Sequence, residues 1–157
     1  MNQQKYAFKN YIFDFYGTLV DIETDESSPV LWETMAQIYQ SYGAHYTGES
    51  LQVRYKELVK QAEEGIAKEK KVTYPEIDLT VIFVQLYLES HPTGASVHHL
   101  KEWGRLIART FRVLSRKRLE LYPHTKEILE DMKVAGCRIY LLSNAQADFT
   151  NPEIDLV

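Results

Sequence analysis

The sequence predicts an α/β protein in which a helical segment is inserted between two strands of a parallel sheet. Two short apolar runs, Tyr11–Phe13 and Arg138–Leu142, have the composition of buried strands, and polar residues follow each of them. The interval between the runs shows helical periodicity. A strand, a helical excursion and a second parallel strand together form a common α/β arrangement.

The first strand leads into Asp14-Phe15-Tyr16-Gly17-Thr18. A carboxylate at the carboxyl end of a strand lies where open α/β sheets bind their ligands, so Asp14 is the candidate nucleophile. Gly17 permits a sharp turn and a close approach to a ligand, and the Thr18 hydroxyl can bond a carboxylate or an anion. A polar turn without function gives the same pattern, and that alternative stays open.

Helices dominate the middle of the chain. An acidic loop at residues 21–26 is predicted to precede a helix that begins at Ser28-Pro29 and ends near Gly43. Three more amphipathic helices are predicted at about 49–67, 75–89 and 96–116. Since each helix has one apolar stripe, the four predict a small bundle.

The fourth of these helices has a basic side. Arg105, Arg109, Arg112 and Arg116 lie opposite its apolar residues. A solvated surface is the ordinary interpretation of such a stripe. A phosphate-binding surface is the alternative, with Arg109 as the candidate substrate ligand.

The second strand leads into Ser143-Asn144, after a crossover helix predicted from His124 to about Ala135. If the two strands are adjacent and parallel, Asp14, Thr18, Ser143 and Asn144 surround one crevice. A pair of residues capping another helix would give the same sequence. A last helix is predicted to start with Asn151 as its cap and Pro152 in its first turn.

The motifs DFYGT and LLSN together resemble those of the haloacid dehalogenase-like hydrolases, whose first motif is Asp-x-x-Gly-Thr after one strand and whose second is a Ser or Thr closing another. The resemblance implies a partial Rossmann-like core, formed by residues 1–20 and 118–157. Residues 21–117 would be the helical cap that many members insert after the first motif, and such a cap closes over the crevice and contributes to substrate selection.

The resemblance also implies roles for the motif residues. Asp14 would attack the substrate and form a covalent ester or acyl phosphate that water then hydrolyses. Mg²⁺ would be held by the Asp14 side chain and the backbone carbonyl of Tyr16. Gly17 would lie against the substrate, Ser143 would bond phosphoryl oxygens, and Asn144 would orient substrate or the neighbouring loop.

Tyr16 separates two activities. Phosphatases of the family usually carry a second Asp at its position, whereas a phenol of pKa about 10 can donate a proton but seldom acts as a base. The 2-haloacid dehalogenases of the family have Tyr there and need no metal, but they place an Arg after an early Trp of the cap. The comparable Trp32 is followed by Glu33. A Mg²⁺-dependent small-molecule phosphatase is therefore favoured, and a 2-haloacid dehalogenase is the alternative.

Members of the family continue beyond the second motif to a lysine and then an acidic pair. No lysine follows Asn144 in this sequence, which predicts the front portion of a longer hydrolase. An incomplete sheet would have an open edge, so a non-catalytic fragment that forms a homo-oligomer by strand addition is a second class of function.

Composition excludes several classes of protein. The 157 residues are 45% hydrophobic, which suits one substantial core. With 22 acidic and 18 basic residues the net charge is −4, so neither nucleic acid nor an anionic membrane is an expected partner. Cys137 is the only cysteine, and the amino terminus lacks a secretory signal pattern. A cytoplasmic location and a small-molecule substrate are expected.

Overall fold

A computed structural model of the chain describes residues 6–90 and 97–157. This part of the chain contains four strands and six helices, in the order β1 (Asn10–Phe13), β2 (Val20–Thr24), α1 (Pro29–Ser41), α2 (Gly48–Lys70), α3 (Leu79–Ser90), α4 (Leu100–Ser115), β3 (Arg116–Leu121), α5 (Thr125–Val134), β4 (Arg138–Leu141) and α6 (Ala147–Ile154). The α/β class is confirmed.

The chain divides into two compact units. One consists of the residues up to Thr24 together with Arg116–Val157, and the other is Asp25–Ser115. The first holds all four strands with α5 and α6, and the second holds α1 to α4. The boundaries lie a few residues from those expected at 20 and 118, because β2 and β3 belong to the first unit.

Strands β1 and β4 form a parallel two-stranded sheet. Asn10 is paired with Arg138 and Phe13 with Leu141. Both strands begin near the same end of the sheet and finish at the other, as the two apolar runs predicted. Between them in sequence, α5 packs against β4 and supplies the crossover.

One face of this sheet is open in the described part of the chain. Ile12 and Tyr140 are register partners and are 65% and 48% exposed. Leu142, two residues beyond Tyr140, is 70% exposed. Assembly through this sheet stays a prediction.

Strands β2 and β3 form an antiparallel pair, and here the sequence prediction is wrong in two places. Residues 21–24 were expected in an acidic loop, and Arg116 was expected on the last helix of the bundle; instead they belong to β2 and β3. The charges of β2 are satisfied across the pair, since Arg118 lies 2.9 Å from Asp21 and 3.4 Å from Glu23. Cross-strand ion pairing thus allows an acidic segment to be a strand.

The second unit is a four-helix arrangement. Helix α1 packs on α2, α2 on α3, α3 on α4 and α4 on α1. Its centre is aromatic: Trp32, Tyr39, Phe83, Tyr87 and Phe111 are almost completely buried. Burial raises the pKa of Tyr39 well above its ordinary value, so its phenol stays protonated and donates to the Phe83 carbonyl at 2.8 Å.

Two helix starts differ from the predictions for physical reasons. Helix α3 begins at Leu79 and not near Pro75, because the Asp78 carboxylate accepts the Thr80 amide at 2.8 Å and caps the helix there. Helix α6 begins at Ala147, four residues before the predicted cap Asn151, so Pro152 lies inside it. Burial of Phe149 and Thr150 favours the earlier start. The predicted start of α4 near Ser96 lies outside the described residues.

Gly104 marks the closest approach of α3 and α4. A Cβ atom at this position would lie 2.5 Å from the Val84 Cγ2 atom and 3.1 Å from the Thr80 carbonyl oxygen. We expect Gly104→Ala to lower the free energy of unfolding by about 1–3 kcal/mol through overpacking. The control is Gly65→Ala in α2, where a Cβ meets nothing within 4 Å and should add about 0.5–1 kcal/mol. Urea unfolding of both variants measures the difference, and equal effects would contradict the close approach.

Across residues 6–90 and 97–157, no helix combines the length with the apolar character that a bilayer crossing requires.

Candidate active site

The two sequence motifs begin side by side at the carboxyl end of the parallel sheet. The last register pair is Phe13 with Leu141, and the Leu142 amide then donates to the Phe13 carbonyl at 2.8 Å. Asp14 follows Phe13 and Ser143 follows Leu142. The sheet therefore holds the backbones of the two candidate residues at neighbouring strand ends. The side chain of Asp14 is exposed, and that of Ser143 is half-buried.

A tight turn follows Asp14. The Phe15 carbonyl accepts the amides of Leu19 and Val20 at 2.9 and 3.1 Å, and Gly17 donates to the Val20 carbonyl at 2.8 Å. Gly17 has a φ of +74°, which side-chain-bearing residues rarely adopt. The turn therefore requires the glycine of the motif and leaves Thr18 exposed beside it.

The end of this turn is hydrogen-bonded to the segment between β3 and α5 and to the first residue of α5. The Leu19 carbonyl accepts the Tyr122 amide at 3.0 Å and the Thr125 hydroxyl at 3.2 Å. Thr125 is buried at the first position of α5. These bonds, together with burial of Phe15 and Val20, hold the loop that carries Asp14.

Ser143 and Asn144 are not the cap of the next helix. The cap position of α6 is Gln146, which makes no side-chain cap bond. The Ser143 oxygen instead accepts the Ala145 amide at 3.3 Å, within a local turn. Asn144 is exposed. Both residues thus lie in the short connection between β4 and α6, and the capping alternative is wrong.

Tyr16 takes part in a contact that the sequence analysis missed. Its hydroxyl donates to the Glu153 carboxylate at 2.5 Å and lies 3.4 Å from the Thr150 hydroxyl. Glu153 is only 2% exposed, and its other carboxylate oxygen lies 3.1 Å from the Arg116 guanidinium. The phenol of Tyr16 is thus directed towards α6.

A weak signal for Glu153 was present in the sequence. Phe149, Thr150 and Glu153 are spaced as neighbours on one face of a helix, which places a carboxylate among inward-facing positions. This spacing is informative only if the helix begins near Ala147, whereas the sequence predicts a start at Asn151. No local sequence pattern indicates that Tyr16 and Arg116 contact Glu153.

The segment that begins at Asp14 offers oxygen atoms of the type that Mg²⁺ binds. Among the described residues there is no group of three or more His, Cys, Asp or Glu side chains placed to hold a metal. Mg²⁺ commonly uses only one or two carboxylates and keeps several waters. The exposed Asp14 carboxylate and a backbone carbonyl of the adjacent turn would supply oxygen ligands of this type, few in number.

Three candidate residues belong to the helical unit. Trp32 is buried, and its indole N–H donates to the Glu26 carbonyl at 2.7 Å. The Glu33 carboxylate accepts the Gly48 amide at 3.3 Å, at the start of α2. Glu33 therefore lies at the N-terminus of α2, whose cap residue is Thr47, and a carboxylate is favoured there. Arg109 lies on the exposed side of α4.

A groove of about 440 Å³ also lies in the helical unit, lined by Trp32, Tyr55 and Val59 with Glu26, Lys56, Lys60 and Glu63. Desolvation raises the pKa of Glu26, and the charge of Arg112 opposes that rise.

A family model described as haloacid dehalogenase-like hydrolase matches residues 8–156, which is almost the whole chain. No curated protein sequence matches it. The matched range contains both motifs, all of the helical unit and nearly all of the other unit.

Proposed function

This chain belongs to the haloacid dehalogenase-like hydrolases, and from that membership we propose that it hydrolyses small phosphate monoesters through a covalent intermediate on Asp14. The observation that carries the proposal is the parallel pairing of β1 with β4, which continues through the Leu142 to Phe13 hydrogen bond. It brings the backbones of Asp14 and Ser143 to adjacent strand ends.

In the proposed reaction, a carboxylate oxygen of Asp14 attacks the phosphorus atom, and the alcohol oxygen leaves with the bonding electrons and takes a proton from solvent water. A second water then attacks the phosphorus atom of the acyl phosphate, returns a proton to solvent and releases inorganic phosphate, which restores the carboxylate. Ser143 donates its hydroxyl to a phosphoryl oxygen, and Thr18 and Asn144 orient the substrate or the neighbouring loop. Gly17 lets the substrate approach the turn, and Arg109 is a more distant candidate for substrate recognition.

The Asp14 side chain and the Tyr16 carbonyl would hold Mg²⁺. When bound, this ion neutralises phosphate charge and polarises a phosphoryl oxygen. The carbonyl contact is independent of the Tyr16 side chain, which is engaged by Glu153.

Dehalogenation of 2-haloacids is the second candidate, and one observation favours it. Since the Tyr16 hydroxyl donates to Glu153, a halide that leaves without a proton suits the site. Against it, Glu33 follows Trp32 where those enzymes have the halide-binding Arg, and the Glu33 carboxylate accepts the Gly48 amide at the N-terminus of α2. We therefore place the phosphatase first.

Parallel assays separate the two activities. We expect release of inorganic phosphate from p-nitrophenyl phosphate in the presence of Mg²⁺ and its loss in excess EDTA. Readdition of Mg²⁺ should restore the rate. Chloride release from 2-chloropropionate that persists in EDTA, without phosphatase activity, would contradict the proposal and establish the dehalogenase.

A further inference from the structure

Glu153 is a carboxylate in an environment that penalises charge. It is 2% exposed and lies on the buried face of α6 with Phe149 and Thr150. A buried carboxylate is tolerated when charges and hydrogen bonds compensate for its lost hydration. Its two oxygens have separate partners, and both partners lie far away in the sequence.

The first partner fixes Glu153 to the antiparallel strands. One oxygen lies 3.1 Å from Nη1 of Arg116, whose side chain is 19% exposed. Arg116 begins β3, and β3 is paired with β2 along its length. The ion pair therefore joins α6 to a hydrogen-bonded strand pair.

The second partner is in the first motif. The other oxygen accepts the hydroxyl of Tyr16 at 2.5 Å. Tyr16 lies two residues after Asp14 and directly before Gly17, whose positive φ forms the turn. The Tyr16 side chain is therefore anchored within three residues of both the candidate nucleophile and the turn.

From these contacts we propose that Glu153 is a positioning residue, which holds Tyr16 and thereby the turn that presents Asp14. This inference rests on the proposed reaction at Asp14. Helix α6 directly follows the Ser143-Asn144 segment, so one carboxylate ties the two motif segments by side-chain bonds, in addition to the pairing of β1 with β4. In this role the Tyr16 hydroxyl keeps its proton and donates it in the hydrogen bond to Glu153, which we call the tether.

The test removes the tether without removing the charge of Asp14. In Tyr16→Phe and in Glu153→Gln of the full chain, we expect kcat for p-nitrophenyl phosphate to fall by about 10- to 100-fold with KM changed less than about threefold, because the reacting groups lose alignment. Amide hydrogen exchange gives a readout independent of turnover. The amides of Gly17 and Leu19, bonded within the turn, should exchange at least about tenfold faster.

A matched pair of arginines provides the control. Arg116→Gln breaks the pair with Glu153, whereas Arg118→Gln breaks exposed pairs with Asp21 and Glu23 two residues further along the same strand. We expect the amides of Gly17 and Leu19 to exchange faster than in the wild type in Arg116→Gln, and at the wild-type rate in Arg118→Gln.

A second variant keeps the test valid if single substitutions unfold the protein. Replacing the buried pair together, as Arg116→Met with Glu153→Leu, should preserve folding because apolar residues of similar size replace both charges. Slow, wild-type exchange at Gly17 and Leu19 in that folded double variant, or wild-type kcat in Tyr16→Phe, would overturn the proposal. If Asp14→Asn retains full turnover, the proposed reaction fails, and the exchange data still decide whether the tether exists.

Discussion

Asp14→Asn is expected to abolish turnover, with kcat lowered on the order of 10⁴-fold or more. The carboxamide keeps the size of the side chain but is neutral, so it is a much weaker nucleophile than the carboxylate that forms the covalent intermediate. Because Asp14 is exposed, the midpoint of urea unfolding should stay within the error of the wild-type value. Release of phosphate from p-nitrophenyl phosphate measures the loss.

A second carboxylate on the same unit serves as the control. Asp155→Asn, at the exposed end of α6, makes the same chemical change and should leave kcat within about twofold of wild type. Rapid acid quenching during turnover should also trap phosphate on the peptide that contains Asp14. Trapped phosphate on another peptide, or retained activity in Asp14→Asn, would exclude Asp14 as the nucleophile.

Phe111→Ala is expected to cause the largest loss of stability, about 3–5 kcal/mol in the free energy of unfolding. Phe111 is 1% exposed, and its ring centroid lies 5.4 Å from that of Trp32, 5.5 Å from Tyr55 and 5.2 Å from Phe83. Truncation removes these contacts and leaves a cavity among side chains that belong to three other helices. Urea unfolding followed by far-ultraviolet circular dichroism reports on these helices.

Val113 gives the matched comparison on the same helix. It is 58% exposed, so Val113→Ala should change the free energy of unfolding by less than about 0.5 kcal/mol. Similar losses in the two variants would mean that the aromatic cluster is not the centre of this unit.

Much of the fold followed from short-range patterns. The apolar runs at Tyr11 and Ile139 predicted two strands, and both strands form, but the face that holds Ile12 and Tyr140 is open in the described part of the chain, whereas such runs are typical of sheets covered on both faces. The stripes of α1, α2 and α4 predicted helices that pack through one side. The glycine at position 17 predicted a turn, and the turn has the positive φ that only glycine adopts readily.

The errors occurred where a distant partner decides the local structure. The acidic residues of β2 are accommodated in a strand because Arg118, the register partner of Glu23, forms ion pairs with both Asp21 and Glu23, and no local pattern contains that information. From the sequence, Glu33 is only the residue that replaces the Arg expected after Trp32, because its bond to the Gly48 amide joins positions that are not neighbours in the sequence.

By itself, the sequence determined the α/β class, the hydrolase family and the two strand ends on which the proposed chemistry depends. Periodicity and motifs are properties of residues that are close in sequence, so they can be recognised without the fold. Only the tertiary structure decided the pairing of β2 with β3 and the burial of Glu153 against Tyr16. Those two residues are separated by 137 positions. The free energy of such a contact comes from desolvation and alignment in the folded state, which a local pattern cannot encode.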